Sequence, residues 1–301
     1  MPELPDVVVY LEAIDRHVGG KVLRQIDVRG VSLLRSYDPP LSAVHGQPLL
    51  RLRRLGKRLV FEFPDELFVV LHLMVAGRLQ WRKAAAPVPA KIGLAAFRFD
   101  EGTLTLTEAG TKKRASLWVV RGEAALLAEH DRGGVEPLSM TLEQFTAQLG
   151  GTNRTLKRAL TDPAAFSGIG NAYSDEILWA ARLSPVKRSS QLDGEEIRRL
   201  YRAVRDILSE WTERLRAEVA DGFPEKVTAF RPTMAVHGRY RLPCPRCGDP
   251  VQRIVHADNE VNYCATCQLG GKVLADRSLS RLLRDEWPRT IEGWEGLRSG
   301  L

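Results

Sequence analysis

The sequence has no long apolar run, no internal repeat and no low-complexity tract along its 301 residues. A membrane-spanning helix needs about 20 consecutive apolar residues, so we expect no transmembrane segment and no membrane partner. The first residues also lack the basic-then-apolar order of a signal peptide, which favours a cytoplasmic location. Hydrophobic residues make up 44% and charged residues 27% of the chain, so its length predicts a globular protein of two domains.

Cysteine is scarce, and all four residues stand in two Cys-x-x-Cys pairs, Cys244 with Cys247 and Cys264 with Cys267. This spacing predicts one structural zinc ion held by four thiolates. Two disulfides are the alternative, which a cytoplasmic location disfavours. A site closed by four cysteines leaves no position open for a substrate, so the metal should hold structure and take no part in chemistry.

Acidic residues are fewer than basic ones, 37 against 44, which gives a net charge of +7 at pH 7. Such an excess suggests a polyanionic partner, with nucleic acid first among the candidates. Five cations fall within residues 51–58, and four more surround the cysteines: Arg51, Arg53, Arg54, Lys57 and Arg58, then Arg239, Arg241, Arg246 and Arg253. The first group is equally expected of a solvated strand edge, whereas the second suits a ribbon that binds nucleic acid.

The chain begins Met1-Pro2-Glu3-Leu4-Pro5-Asp6. Removal of the initiator methionine would leave Pro2 as a free secondary amine. An α-amino group titrates at roughly 8, so part of it is neutral near neutral pH, and nearby cations would enlarge that part. A neutral amine attacks carbonyl carbon and forms an iminium, the Schiff base of a secondary amine. The alternative is that both prolines merely precede a helix.

Apolar spacing predicts a helix over residues 6–18, capped by Asp6 and stopped by Gly19 and Gly20. Six strand-like segments follow, at residues 21–31, 59–63, 67–73, 94–99, 103–107 and 117–120. Residues 100–102 read as a hairpin turn and residues 84–90 as a loop. Many short strands with turn signals indicate an antiparallel sandwich or barrel.

From about residue 123 the pattern becomes helical. Thr141 and Gln144 predict a capping box, and helices are expected at residues 154–161, 172–181 and 193–219. The turn formed by residues 168–171 opens the second of these helices, and its backbone N–H groups would suit a phosphate. A plain turn between helices is the commoner reading of so short a motif.

Three distant motifs together resemble the formamidopyrimidine-DNA glycosylase and endonuclease VIII family. They are the N-terminal Pro-Glu-Leu-Pro, the Gly-Ile-Gly-Asn-Ala-Tyr-Ser-Asp-Glu run at residues 168–176, and the finger that closes on Tyr-Cys at 263–264 and Cys-Gln at 267–268. The resemblance implies an α+β protein with an N-terminal helix on a two-layer antiparallel β-sandwich. A helix-two-turn-helix lobe with a four-cysteine zinc finger would follow. The expected parts are a catalytic domain at 1–122, the helical domain at 123–235, the finger at 236–270 and an extension at 271–301.

The function that the resemblance implies is base-excision repair of double-stranded DNA by a monomer working at the nucleoid. A damaged nucleotide would be flipped out, Pro2 would attack its C1′, and Glu3 would move protons around the sugar before β- and δ-elimination cut the strand. Lys57 matches the family's phosphate-contacting lysine, and Asn171 its backbone-gripping asparagine. The alternative is a protein of the same fold that binds damaged DNA without excision, or cuts only abasic sites.

Several residues depart from the family pattern. The acid after the second proline is Asp6 in place of glutamate, and Val75 occupies the methionine position of the wedge, with Met74 one place early. The wedge arginine and phenylalanine are replaced by a run that leaves Arg114 as the candidate filler. The finger arginine falls on Asn259. An extension past residue 270 contains a predicted helix at residues 278–287.

The remaining site predictions divide between DNA contact and lesion binding. The residues expected at DNA are Lys57, Arg114, Arg154, Asn171, Arg239 and Asn259, and those expected at the lesion pocket are Met74, Val75 and Glu176. Because the wedge and finger are altered, we expect good cleavage of abasic DNA and poor excision of oxidised purines.

Overall fold

The computed structural model describes residues 1–30, 32–151, 153–225, 227–256, 259–274, 288 and 290–299. The chain divides into two compact units, Met1–Gly133 with Glu210–Ala229 and Gly134–Ser209 with Phe230–Leu301. The first unit is built mainly of strands and the second mainly of helices. The four-part division expected from the sequence stays a prediction.

The first unit begins with helix α1 (Leu4–Val18) and ends its strand region with helix α2 (Glu123–His130). Between them lie ten strands: β1 (Val22–Leu23), β2 (Gln25–Val28), β3 (Gln47–Pro48), β4 (Arg51–Leu55), β5 (Arg58–Phe63), β6 (Leu67–His72), β7 (Gly77–Arg82), β8 (Gly93–Arg98), β9 (Thr103–Glu108) and β10 (Ser116–Arg121). Eight of them form two four-stranded sheets, in the orders β10-β6-β5-β4 and β2-β8-β9-β7. All neighbours are antiparallel, which confirms the expected β architecture.

The core of the first unit lies between these sheets. Phe61 of β5 and Phe97 of β8 stack with their ring centroids 5.5 Å apart. Helix α1 adds Val7, Tyr10 and Ile14 to the same buried cluster. Burial of such side chains contributes roughly 1.5–3 kcal/mol each, so the apolar face of α1 fixes the helix, and with it the N-terminus, on the sandwich.

The predicted start of α1 is corrected by the structure. Asp6 is the third residue of the helix and not its cap, because the helix begins at Leu4 and Glu3 occupies the cap position. The Glu3 N–H donates to the Asp6 carboxylate at 2.9 Å, and the Glu3 side chain accepts from the Asp6 backbone in return. This reciprocal pairing is a capping box, and it ties the backbone of Glu3 to the helix.

Three strands of the first unit were not predicted, and the shortest of the three is the two-residue β3. β4 is the segment rich in arginine, and all five of its positions are exposed or partly buried, so it lacks the alternation that marks a half-buried strand. β7 begins at Gly77 and alternates buried and partly buried positions only over its first four residues. The hairpin turn at residues 100–102 is confirmed, since β8 pairs with β9 across it.

The second unit contains four helices of the predicted helical region and a C-terminal ribbon. Its elements are α3 (Leu142–Gly150), α4 (Leu156–Thr161), α5 (Asn171–Ala180), α6 (Gly194–Val219), β11 (Gln252–His256), β12 (Asn259–Tyr263), α7 (Ala265–Leu269) and α8 (Ile291–Ser299). From Glu210 onward α6 belongs to the first unit. Thr141 and Gln144 form the predicted capping box of α3.

Among the helices described here, none combines the length and apolar character that a bilayer crossing requires. The predicted helix at residues 278–287 lies outside the described residues.

Candidate functional site

The N-terminus of the first unit is buried. Pro2 is buried and Glu3 is only 3% exposed. Burial lowers the pKa of the terminal amine of Met1, and the positive charges of Arg78 and Lys57 lower it further against the opposing carboxylates of Glu3 and Asp6. A lower pKa enlarges the neutral fraction of an amine, which is its nucleophilic form. The structure therefore brings Glu3 and Lys57 within electrostatic range of the chain's first amine.

Lys57 occupies the two-residue turn between β4 and β5, where Leu55 pairs with Arg58. Gly56, the first turn residue, has φ +61°, a conformation that favours glycine and suits a type II′ hairpin turn. The sequence cluster of cations is thus partly a strand and partly a tight turn. The turn places Lys57, which is partly exposed, where its positive charge acts on the terminal amine.

The loop after β6 carries the candidate wedge residues Met74 and Val75. Burial lowers the pKa of His72 to about 4, with help from the charges of Arg58 and Lys57, so this histidine is neutral at physiological pH. Its Nδ1 contacts the sulfur of Met74, which adopts a left-handed backbone with φ +51°. Val75 is 56% exposed. Met74 is therefore folded back on His72, and Val75 is the residue that projects.

Arg114 is exposed at the end of a loop that leads from β9 to β10. The buried carboxylate of Glu108 accepts the backbone N–H groups of Arg114 and Ala115, at 2.9 and 3.1 Å. The Lys113 ammonium donates to the backbone carbonyl of Glu108. Sequence reasoning missed Glu108, although an acid that ends a buried strand is a usable signal. Its carboxylate ties the end of the loop to the sandwich.

In the second unit, Asn171 is the first residue of α5. Its side-chain amide donates to the carbonyl of Glu260 in β12 at 2.9 Å, and its own carbonyl accepts from Lys157 Nζ at 2.6 Å. An amide nitrogen carries two hydrogens, so one remains to meet another acceptor. Asn171 thus joins the helical motif to the finger.

A buried charge network supports this junction. Asp175, 1% exposed, accepts from Lys157 Nζ at 2.5 Å and from His237 Nδ1 at 2.8 Å. The backbone N–H of Asn262 in β12 donates to the same carboxylate at 3.1 Å. Sequence reasoning missed this role of Asp175 and its partners, because α4, residue 237 and β12 meet only in the fold.

The four cysteines form the candidate metal centre. Their sulfur atoms lie within 4.8 Å of one another, with Cys244 and Cys267 3.9 Å apart and Cys247 and Cys264 3.4 Å apart. Tetrahedral zinc with bonds of about 2.3 Å requires sulfur separations of roughly 3.8 Å, so the set fits the ion.

The surroundings of Cys244 favour a thiolate. Burial alone would raise the pKa of this thiol, but N–H donors from Arg246, Cys247 and the Trp179 indole outweigh burial and bring the pKa down to about 7. The indole nitrogen lies 3.3 Å from the sulfur. Thiolate is the form that binds zinc. The clustering of all four sulfur atoms confirms the predicted structural zinc site.

Three stretches of the chain match known domain families. Residues 1–114 match the formamidopyrimidine-DNA glycosylase N-terminal domain, residues 134–219 its H2TH domain, and residues 241–269 the zinc finger found in FPG and IleRS. The formamidopyrimidine-DNA glycosylase of Thermus thermophilus is 34% identical over 277 residues, covering 89% of this chain and 98% of that protein. The chain belongs to the formamidopyrimidine-DNA glycosylase family.

Solved structures agree with this assignment. The crystal structure of the Fpg protein from Thermus thermophilus has a TM-score of 0.74 at 33% identity and covers 89% of this chain and 98% of that one. A Lactococcus lactis Fpg complex with DNA containing an abasic site has a TM-score of 0.77 at 22% identity, covering 89% and 99%, and shows the shared fold. An uncharacterised Fpg-like protein of Mycobacterium tuberculosis is 40% identical over 151 residues, covering 50% of this chain and 94% of that protein.

Glu176 of α5 forms hydrogen bonds with the backbone of residues 235–237. Its carboxylate is buried and accepts backbone N–H groups from Ala235 at 2.6 Å and from Val236 and His237, each at 2.9 Å. These bonds fasten residues 235–237 to α5. They favour a structural role for Glu176, and its place in a lesion pocket stays a prediction.

The other residues predicted at DNA lie in the second unit. Arg154 is exposed, pairs with the carboxylate of Asp162 and lines an open cavity of about 490 Å³ together with Arg158. Arg239 donates to the carbonyls of Pro232 and Pro243 at 2.8 and 3.3 Å, which uses part of its guanidinium to brace the chain before the finger. Asn259 begins β12. Their contacts with DNA stay predictions.

Proposed function

We propose that this protein is a bifunctional DNA glycosylase and abasic-site lyase that forms a Schiff base through Pro2. The observation that carries the proposal is the buried N-terminus, whose amine has a lowered pKa beside Glu3 and Lys57. Once Met1 is removed, the same burial and positive charge would act on the amine of Pro2. A protein that only binds DNA has no need of a neutral amine at this place.

The reaction begins with a nucleotide flipped from the duplex, because C1′ is out of reach while the base is stacked. The Pro2 nitrogen forms a bond to C1′ as the glycosidic bond breaks, and the base leaves with a proton. Opening of the sugar ring then yields an iminium between Pro2 and C1′. Loss of a C2′ proton expels the 3′ phosphate in β-elimination, and a second elimination releases the 5′ phosphate. Glu3 is the carboxyl group we assign to proton transfer at the sugar.

Double-stranded DNA with damaged bases or abasic sites is the proposed partner, bound by a monomer at the cytoplasmic nucleoid. Lys57 would hold phosphate near the lesion, and Asn171 would hold the backbone with its second amide hydrogen and the start of α5. Arg114, Arg154, Arg239 and Asn259 are the further proposed contacts. Family members have been solved with abasic-site DNA, which supports this choice of partner.

Borohydride trapping on an abasic-site duplex tests the nucleophile. Mature protein that begins at Pro2 should give a covalent adduct, whereas a chain with two residues added ahead of Pro2 should give none and still bind the duplex. Lys57→Arg serves as the matched control, since it keeps the positive charge and removes the primary amine of Lys57. An adduct that survives the extension and disappears in Lys57→Arg would assign the chemistry to Lys57.

A narrower activity, restricted to abasic sites, is the second candidate. The projecting wedge residue is Val75, and Arg114 stands where the family has an arginine and a phenylalanine. A smaller wedge would hold open the gap left by a flipped base less well, whereas an abasic site has no base to unstack. A panel of duplexes with one lesion each, scored for base release and for strand cleavage, separates the two candidates.

A further inference from the structure

The C-terminal extension returns to the finger. The relatives match 89% of the chain, and the zinc-finger family match ends at residue 269. Beyond that point, Lys272 forms a β-bridge with Thr290, and α8 follows directly. The extension therefore lies beyond the matched family domains and follows directly on the zinc finger.

Helix α8 completes a second small core on the finger. Ile291 and Trp294 of α8 are each only 8% exposed. They belong to one buried cluster with residues of β11, of β12 and of the segment around α7, namely Ile254, Tyr263, Ala265 and Val273. A tryptophan buries roughly 150–250 Å², a large share of the apolar contact that so small a ribbon can form.

This core is separate from the apolar cluster at the metal. The metal cluster contains Val236, Val251, Cys244 and Cys264. Tyr263 and Cys264 are consecutive, yet they belong to different clusters. Tyr263, the last residue of β12, therefore packs in the cluster that contains α8, whereas Cys264, the next residue, packs in the metal cluster.

After α7 the chain turns at two glycines and then forms a hydrogen bond with β12. The backbone N–H of Leu274 donates to the Tyr263 hydroxyl at 2.8 Å. Gly270 and Gly271 both have positive φ, +61° and +89°, which turns the chain back after α7. The extension thus leaves α7 along a defined path.

We propose that α8 is a second, metal-independent anchor of the zinc finger, and that Trp294 positions β11 and β12. A zinc finger that depends on its metal alone unfolds when the metal is removed, because binding energy is its folding energy. In this chain the tail-side core would keep the β11–β12 hairpin paired after zinc is lost. The inference does not depend on the proposed catalytic activity.

Hydrogen exchange of the full-length protein, with and without a zinc chelator, tests this anchor. The wild-type hairpin should stay protected after chelation. Trp294→Ala should exchange near the wild-type rate with zinc bound, and at least tenfold faster than wild type after chelation. Glu292→Ala, an exposed change in the same helix, is the control and should match wild type in both states.

Two results would overturn the proposal: a wild-type hairpin that loses protection on chelation, or Trp294→Ala that behaves as Glu292→Ala. Trp294→Phe keeps an aromatic ring and should restore most of the protection, which a general folding defect in the alanine variant would not predict. The rate of zinc transfer to the chelator gives an independent readout. It should rise at least several-fold in Trp294→Ala and stay unchanged in the control.

Discussion

The two units use charged side chains differently. At the N-terminus of the first unit, burial lowers the pKa of the terminal amine, and the charges of Arg78 and Lys57, both partly exposed, lower it further. In the second unit, Asp175 is held by direct bonds from a lysine, a histidine and a backbone N–H. A charge whose partners are all fixed serves structure, whereas a lowered pKa enlarges the neutral, nucleophilic fraction of an amine. Motif membership alone does not separate these two cases.

The largest effect is expected from Asp175→Asn. The substitution removes the negative charge that pairs with buried Lys157, and breaking a buried pair from one side costs roughly 3–5 kcal/mol. Chemical denaturation should show this loss in the transition of the second unit. Asp206→Asn, an exposed acid of the same unit, should change stability by less than about 0.5 kcal/mol. If the two variants have the same unfolding free energy, the Asp175 network does not contribute to stability.

The same contrast explains how much the sequence could predict. The cysteine spacing predicted the metal centre because its ligands are close in sequence within each pair. Pro2, Glu3 and Asn171 were predicted as site residues through motifs that the family shares, and their roles stay predictions. The bonds from Lys157 and His237 to Asp175 join residues far apart in the chain, so no local pattern reports them. Asp6 was predicted to be the cap, but the helix begins two residues before it, at Leu4, and Pro5 lies within the first turn.

Acid should destabilise the first unit through its buried histidine His130. Burial first, then the charges of Arg58 and Arg132, lowers the pKa of His130 to about 4. The unfolded chain takes up this proton near pH 6.5, so between pH 6.5 and 4 it binds more protons than the folded chain. The stabilisation from neutral His130 is therefore complete above pH 6.5 and is lost as the pH falls to about 4.

The size of this loss is up to about 3 kcal/mol, since one pKa unit is worth about 1.4 kcal/mol. His130→Phe keeps a ring against Trp118, whose centroid lies 5.0 Å away, and removes the titration. Its unfolding free energy should fall less than that of wild type between pH 7 and 4.5, as followed by urea denaturation at each pH. Parallel losses in the two proteins would exclude His130 as the source.

A smaller effect, on the rate of base release, is expected from Asn259→Arg in the finger. The resemblance implies an arginine here that clamps phosphates beside the flipped nucleotide, and asparagine cannot make that bidentate contact. A charge-assisted bond contributes about 1.5–3 kcal/mol, or roughly ten- to hundredfold in rate if it forms only in the flipped state. We propose that Asn259→Arg speeds release of oxidised guanine and leaves cleavage of a preformed abasic site unchanged. Wild-type protein that releases this base as fast as it cuts an abasic site would contradict the proposal.

The smallest predicted effect is on the salt dependence of DNA binding. It tests whether Lys57 contacts phosphate directly or acts only on the amine through its charge. Each cation in direct contact with phosphate contributes roughly 0.9 to the slope of log affinity against log salt concentration. Lys57→Ala should therefore weaken binding to an abasic-site duplex and reduce that slope by about one. Lys83→Ala, an exposed lysine of the same unit, is the control and should leave the slope unchanged. The alternative outcome is that Lys57→Ala leaves the slope unchanged and moves the pH dependence of adduct formation to higher pH. Lys57 would then act only through its charge, because removing that charge lets the pKa of the amine rise.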